Sequence, residues 1–389
     1  MTMNQLRGAV GLAALIGCAL PGAASAQVPE SIYQGMLKIG QIVDPPCTAV
    51  LYRPLMPAND YSSKVAKIYP GVTIERDVKF GEHEKDLIDI FTTDNRGRNK
   101  TILIYVPGGG GNKIEQQNRE ANAFYDNIAR WATKNDMVGI LMQRHPGANW
   151  DDPAKDVSTL IQWAQANAAR YGGNADSIIA WAQSAGNGPL GTYVGRPELY
   201  GPKGVGLKGA IYMSGQWNIA PLMMGGGGRG NAEFTPTVPG VANPAPAAGS
   251  TCGAGGPNSA AGAIEGPSRQ EPPPARAGGP GGPGAPGAGR GGGRGQVDEA
   301  TQLARSTLEG YKKVSTKLFF ATAELDPGIT GSMSPFYQTL HDELCKLGQD
   351  KCPTMLFEKR HNHMSEVFSI DSPDTSVSKP ILDWIKKVK

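Results

Sequence analysis

This sequence predicts an α/β fold with a mostly parallel central sheet and helices on both of its faces. Apolar runs short enough to be buried strands, such as 101–106 and 137–142, alternate with segments whose apolar residues recur at helical spacing. Strands that alternate with helices pair in parallel through right-handed crossovers. The chain has 389 residues. Because one tract of extreme composition removes many residues from the count of core-forming residues, we expect one large domain.

The N-terminus has the pattern of an export signal. Arg7 supplies the positive start, residues 9–20 are apolar but too short to span a bilayer, and 24–26 read Ala-Ser-Ala, a small-residue cleavage site. Residues 1–26 are therefore predicted to be a signal peptide, and the mature protein to be periplasmic or extracellular. A second interpretation takes 15–18, Leu-Ile-Gly-Cys, as a lipobox that leaves a lipid-anchored Cys18.

Charge and cysteine content narrow the choice of partners and chemistry. A net charge of +3 with 19% charged residues gives no reason to expect nucleic acid as a partner, nor does the mature sequence suggest stable membrane insertion. After signal removal, four cysteines remain, and an even number in an exported chain suggests disulfides. Cys345 with Cys352 is the favoured pair, which leaves Cys47 with Cys252. Metal binding is the weaker interpretation, since no CxxC spacing or second Cys/His cluster is evident.

The elements follow in order from an N-terminal arm, residues 27–73, for which only loose structure is predicted. Residues 74–389 form the main domain. It opens with a hairpin, strands 74–80 and 87–93, whose turn contains His83, interpreted as a solvated loop residue. The buried strand 101–106 comes next and runs into Pro107 and four glycines. Such a loop leaves backbone N–H groups free for a ligand, and it lacks the Lys-Ser/Thr ending of a phosphate loop.

The rest of the domain continues the alternation, with one interruption. Between 225 and 296 all periodicity is lost and Gly, Pro and Ala dominate, so we expect a disordered insertion that acts as a solvated linker. The other predicted elements are helices around 121–131, 157–168, 298–312, 333–347 and 377–388, and strands 137–142, 177–183, 207–213, 317–323 and 354–358.

Ser184 is the predicted nucleophile. It stands where an apolar run breaks into a predicted helix, and a serine on such a sharp turn needs small residues two positions away on each side. Ala182 and Gly186 meet that demand. Because Ala185 begins the helix, its free N–H would face an oxygen that becomes charged during acyl transfer.

A serine hydroxyl needs a neutral imidazole beside it and a carboxylate behind that imidazole. Asp326 and His363 each follow a predicted strand, in the order nucleophile, acid, histidine. Glu324 and His361 are the alternatives for the acid and the base. The two other histidines in this region, His145 and His341, are interpreted as a loop residue and a helix-surface residue.

These motifs resemble those of the α/β-hydrolase superfamily, in particular its esterases, lipases and carboxylesterase-like enzymes. Pro107 to Gly110 is similar to the His-Gly-Gly-Gly loop, and Trp181 to Gly186, preceded by Tyr-Gly-Gly at 171–173, is similar to the nucleophile elbow. Glu324 to Pro327 resembles the acid turn, and His363-Met-Ser resembles the family's His-Phe-Ser. The sequence departs from the pattern at Pro107, in place of histidine, and at Ala182, in place of glycine.

The resemblance implies an exported serine hydrolase that cleaves small-molecule carboxylic esters through a Ser184, Asp326 and His363 triad and an acyl-enzyme intermediate. It also implies an oxyanion hole made of backbone N–H groups of Gly109, Gly110 and Ala185, and it requires no metal or organic cofactor.

Two points stay open at the level of sequence. Trp217 and Met223 follow a strand end, where they would wall a substrate pocket or serve as ordinary core residues. A rival for the function is a catalytically silent protein of the same fold that binds or attaches to surfaces through its Gly/Pro/Arg-rich tract.

Overall fold

The computed structural model describes residues 27–56, 69–109, 111–113, 124–145, 151–222, 298–326 and 333–389. The predicted signal peptide, the insertion at 225–296, Gly110 and Met223 lie outside these residues. The predicted partner of Cys47, Cys252, lies outside them too, so this disulfide stays a prediction.

Eight strands form a single sheet in the order β1-β2-β4-β3-β5-β6-β7-β8. Among these described strands β2 alone runs against its neighbours, so the sheet is mostly parallel, as predicted. The strands are β1 (Val72–Lys79), β2 (Leu87–Thr93), β3 (Lys100–Val106), β4 (Val138–Met142), β5 (Gly173–Gln183), β6 (Gly209–Met213), β7 (Lys317–Ala323) and β8 (Thr354–Glu358).

Helices cover both faces of this sheet, because each central strand is apolar on both sides. In β3, Ile102 and Ile104 join one buried apolar cluster, whereas Leu103 and Tyr105 join the other. The helices are α1 (Glu30–Ile39), α2 (Pro45–Tyr52), α3 (Asp126–Lys134), α4 (Asp151–Asn167), α5 (Asn187–Gly195), α6 (Glu299–Ala304), α7 (Leu308–Lys313), α8 (Met333–Cys345), α9 (Ser365–Phe368) and α10 (Ser378–Val388).

The N-terminal arm is more ordered than the sequence predicted. It contains α1 and α2, and Met36 and Tyr52 are fully buried in the cluster that also receives β3 and α10. The Tyr52 hydroxyl donates to Asp374, 322 residues further along the chain. Sequence periodicity alone gave no signal for this, since the two helices are short and lie among prolines.

The single helix predicted over 298–312 is also wrong, because two short helices, α6 and α7, occupy this stretch. Between them the N–H and the Oγ1 of Thr307 both donate to the carbonyl of Asn218, at 3.0 and 2.7 Å. The backbone N–H of Thr307 is thereby used outside the helix, which interrupts it.

The predicted disulfide between Cys345 and Cys352 is confirmed, with Cα atoms 4.5 Å apart. It links the end of α8 to the residue that follows the short turn before β8. Within the described ranges, no helix is both long and apolar enough to cross a membrane.

Candidate active site

Ser184 lies directly after β5, at the carboxyl edge of the sheet. Its φ is +52°, a left-handed conformation that costs a residue with a side chain about 1–3 kcal/mol. A short helical turn, Ser184–Gly186, follows and leads into α5. Ser184 is partly exposed and Ala185 is exposed. The strand therefore ends in a strained turn that presents the hydroxyl and the first helical N–H groups to solvent.

Close backbone packing explains the small residues around the turn. A Cβ atom on Gly186 would lie 2.3 Å from the carbonyl oxygen of Val106, and one on Gly108 would lie 2.8 Å from Cβ of Ser184. The buried side chain of Asn187 secures the turn to the next strand, since its Nδ2 donates to the carbonyls of Ser184 and Met213 at 2.8 Å. The elbow is thus held between the ends of β3 and β6.

The loop after β3 is held by Arg144, which the sequence analysis did not single out. Its guanidinium donates to the carbonyls of Pro107 at 3.0 Å and Gly109 at 2.7 Å, with a longer contact of 3.4 Å to Gly108. Burial lowers the pKa of Arg144 from its ordinary value. Three carbonyl oxygens directed at one cation fix the orientation of these peptide groups, although Gly109 has a φ of +48°.

Asp326 and His363 lie together at the same edge. Asp326 follows β7, His363 follows β8, and His363 Nδ1 is 2.8 Å from Asp326 Oδ1. Both side chains are almost fully buried, at 2% and 3% exposure. A carboxylate accepts at this position, so the proton is on Nδ1 and the lone pair of the neutral ring is on Nε2.

The imidazole is connected to the elbow through Gln183, the residue before the predicted nucleophile. Gln183 Nε2 donates to the carbonyl of His363 at 2.9 Å and lies 3.3 Å from His363 Nε2. In the described part of the chain, no hydrogen bond joins Ser184 Oγ to His363. Bonds of this kind are commonly long in enzymes without substrate and shorten in the reacting complex.

The second oxygen of Asp326 belongs to a buried network that includes Ser214 and Glu366. Ser214 Oγ lies 2.5 Å from Asp326 Oδ2 and 2.8 Å from Glu366 Oε2. Burial raises the pKa of Glu366 well above its ordinary value, with the charges of Glu358 and Asp326 adding to the effect. Ser214 Oγ has one proton and can donate to only one of the two carboxyl groups at a time. The raised pKa favours a protonated Glu366 that donates to Ser214, while Ser214 donates to Asp326.

The alternative acid and base occupy other positions. Glu324 accepts a hydrogen bond from the backbone N–H of Arg360 at 2.7 Å. Among the described residues, no hydrogen bond joins the Glu324 carboxylate to the imidazole of His361 or His363. His361 is fully buried between the hydroxyls of Ser365 and Ser376, at 2.9 and 2.8 Å. Burial lowers the pKa of His361 to about 4. The geometry favours Asp326 and His363 over this pair.

The position of Trp217 favours the second of its two interpretations, that of a core residue. The indole is only 7% exposed and packs in the core against Tyr311 and Phe336, with ring centroids 5.5 and 4.9 Å away. A Cβ on Gly191 of α5 would lie 2.4 Å from the indole. Trp217 is thus a core residue rather than a pocket wall.

Several supporting residues were missed at the level of sequence: Gln183, Arg144, Ser214 and Glu366. Each lies at or just beyond the carboxyl end of a strand, or shortly after the predicted histidine, which is the signal that could have found them.

The eight-stranded, mostly parallel sheet with helices on both faces is an α/β-hydrolase fold. Two solved structures to which the chain is similar are a bacterial heroin esterase and an esterase from the bacterial hormone-sensitive lipase family. The first has a TM-score of 0.50 at 14% identity and covers 92% of this chain and 98% of its own. The second has a TM-score of 0.50 at 12% identity and covers 92% and 97%. At these identities the likeness concerns the fold. No family model and no curated protein matches the sequence.

Proposed function

We propose that this protein is a serine hydrolase of carboxylic esters. The observation that carries the proposal is the hydrogen bond from His363 Nδ1 to Asp326, in a ring whose Nε2 lies 3.3 Å from Gln183, the neighbour of Ser184. An imidazole oriented by a carboxylate, at the sheet edge that carries a serine on a strained turn, is the arrangement that activates a hydroxyl. The esterase names of both structural neighbours support an ester substrate.

The reaction would proceed in two halves. Ser184 Oγ attacks the ester carbonyl while His363 Nε2 takes its proton, and Asp326 stabilises the imidazolium that forms. The tetrahedral intermediate collapses, the bond from carbonyl carbon to alcohol oxygen breaks, and the alcohol leaves with the proton from His363. Water, deprotonated by the same nitrogen, then releases the acid and restores the serine. No metal or organic cofactor enters these steps.

Backbone N–H groups would stabilise the oxyanion. Ala185 is the second residue of the helical turn Ser184–Gly186, where N–H groups lack intrahelical partners. Gly109 and Gly110 belong to the loop whose carbonyls Arg144 holds, although Gly110 itself lies outside the described residues. Because Arg144 attracts the carbonyl oxygens to one side, it leaves the opposite side of the loop to the N–H groups.

Export to the periplasm or the exterior is the second part of the proposal. The N-terminal pattern and a disulfide between Cys345 and Cys352 both favour an oxidising compartment. The partner is a small-molecule ester.

A panel of p-nitrophenyl esters of increasing acyl length tests the activity and maps the acyl pocket. Ser184→Ala should lower kcat/KM by at least about 10³-fold. Ser177→Ala is the matched control, because Ser177 lies in the first half of β5 and pairs with Thr101 near the start of β3. If the native chain hydrolyses no ester, or Ser184→Ala retains activity, the proposal fails and the silent binding protein becomes the better account.

A further inference from the structure

Three side chains outside the proposed catalytic site direct their ligand atoms at a single point. His83 and Asp86 lie in the turn between β1 and β2, and His145 lies three residues after β4. One nitrogen of each histidine and one carboxylate oxygen all lie within 4.8 Å of one another. In the sequence His83 and His145 are 62 positions apart, and each is interpreted there as a loop residue.

The tautomer of His145 leaves a lone pair facing the cluster. Its Nδ1 is 2.9 Å from Asp156 Oδ2, and this oxygen also accepts the backbone N–H of His145 at 3.1 Å. The carboxylate accepts from Nδ1, so the lone pair of the neutral ring is on Nε2. Nε2 in turn contacts His83 Nδ1 directly and lies 3.5 Å from Asp86 Oδ1.

The other two ligand atoms, which lie in the β1–β2 turn, are also acceptors that face the cluster. His83 Nδ1 accepts the backbone N–H of Lys85 at 3.1 Å, which identifies it as the acceptor nitrogen; a metal ion would replace this hydrogen bond, because the nitrogen has one lone pair. The backbone N–H of His83 donates to Asp86 Oδ2 at 2.9 Å, and this bond leaves Oδ1 directed at His145. Two nitrogen acceptors and one carboxylate oxygen thus face one another. A single proton on one nitrogen would provide a hydrogen bond for only some of these three acceptors.

We propose that His83 Nδ1, Asp86 Oδ1 and His145 Nε2 bind a divalent transition-metal ion, for which Zn²⁺ is the best match. Two imidazoles and one carboxylate are a donor set that zinc accepts, and water completes the coordination on the side of exposed His83. Asp156 is the outer carboxylate that orients a ligating histidine, a recurrent feature of such sites. The ion would fasten the β1–β2 turn to the segment that carries Arg144.

Titration of the complete chain with ZnCl₂ tests this site. The protein is purified without a polyhistidine tag, treated with EDTA and dialysed, and then studied by calorimetry and thermal denaturation. We expect one equivalent of Zn²⁺ to bind and the melting temperature to rise with free Zn²⁺, since an ion that binds only the folded state stabilises it. Co²⁺ in place of Zn²⁺ should give visible absorption bands of low coordination number.

Substitutions separate this site from adventitious binding. His83→Ala changes an exposed turn residue and should abolish binding without unfolding the protein, and His145→Ala should do the same. Asp156→Asn should weaken binding about 10–100-fold while it keeps the stoichiometry. His341→Ala is the matched control, because His341 lies against the disulfide-bonded Cys345, whose oxidised sulfur does not bind zinc. A melting temperature that does not change with Zn²⁺, or Zn²⁺ binding by the His83 and His145 variants as tight as by the native chain, would overturn the proposal.

Discussion

Arg144 donates a hydrogen bond from its guanidinium to the carbonyl oxygen of Gly109, 2.7 Å away and 35 residues earlier in the chain. The same guanidinium also holds the carbonyl of Pro107. A cation at the end of β4 thereby fixes the loop at the end of the neighbouring strand β3, on the edge where Ser184 lies.

Substitution of Arg144 should therefore impair the reaction without removing any group that touches substrate. We expect Arg144→Lys to lower kcat by about 10–100-fold, because lysine keeps the charge but loses the planar fork that reaches several carbonyls. Arg170→Ala is the control, since Arg170 is 63% exposed and contacts Glu75 and the ring of Tyr171, which precedes β5, at the other end of this strand from Ser184. The kcat for ester hydrolysis is measured for both variants. An unchanged kcat in Arg144→Lys would contradict the role of Arg144 in holding the glycine loop.

Gly108 tests the contact between the glycine loop and the elbow. A Cβ at this position would lie 2.7 Å from Gln183 Oε1 and 2.8 Å from Ser184 Cβ, distances that require movement of the elbow. We expect Gly108→Ala to lower kcat/KM by about 10²-fold, the typical cost of a displacement near 1 Å. Gly188→Ala is the matched control, because its Cβ would meet only a carbonyl oxygen 4.0 Å away. Equal activity of the two variants would refute this packing argument.

The neutral state of Glu366 should appear in the pH dependence of stability. Its raised pKa means that the folded chain keeps a proton that the unfolded chain releases above about pH 4.5. The free energy of unfolding therefore falls as pH rises above that value, by up to about 1.4 kcal/mol per pH unit for one proton. Glu366→Gln, which keeps a donor for Ser214, should flatten this slope in urea denaturation between pH 5 and 8.

Activity of the same variant provides a second readout. Glu366→Gln should stay within a few-fold of the native kcat/KM, whereas Glu366→Ala removes one partner each from Ser214 and Gln183 and should lower it further. Glu309→Gln, an exposed helix residue, is the control for the slope. A slope as steep in Glu366→Gln as in the native protein would show that Glu366 is ionised in the folded state.

The ends of the Gly/Pro-rich tract predict that it can be shortened. Asn218 Nδ2 donates to the carbonyl of Gln302 at 2.7 Å, and Ser306 Oγ contacts the carbonyl of Ala220, so the flanking segments are already joined. Replacement of 225–296 by a short Gly/Ser linker should leave ester hydrolysis intact, because loop closure depends weakly on length, about 0.6 kcal/mol per doubling.

The linker removes Cys252, the predicted disulfide partner of Cys47. Cys47→Ser is therefore introduced into both the shortened and the full-length protein, so that neither carries an unpaired Cys47. Circular dichroism and the melting temperature report on folding. A shortened chain that fails to fold, beside a folded Cys47→Ser full-length control, would refute the view that the tract is an independent insertion.

Sequence was sufficient where the determinants are local. The apolar runs of β3, β7 and β8, the small residues around Ser184, and the order of the motifs along the chain all follow from short segments. Because parallel strands deliver their ends to one edge, chain order also predicted that Asp326 and His363 would meet there.

The rest depends on contacts between distant segments. Arg144 holds a loop 35 residues away, and the proposed metal ligands His83 and His145 come from separate loops. Neither arrangement has a periodicity or a spacing that sequence can reveal. Trp217 was ambiguous for a related reason, since an apolar residue after a strand serves a pocket or a core with equal ease.

The central claim is that His363, and not His361, activates Ser184. The most direct measurement is the rate at which a fluorophosphonate labels the native chain, His361→Gln and His363→Gln, with the modified residue located by mass spectrometry. We predict labelling at Ser184 in the native chain, a rate within about tenfold of it in folded His361→Gln, and a loss of about 10³-fold or more in His363→Gln. Labelling of His363→Gln at the native rate, or no labelling of the folded native chain, would contradict the account.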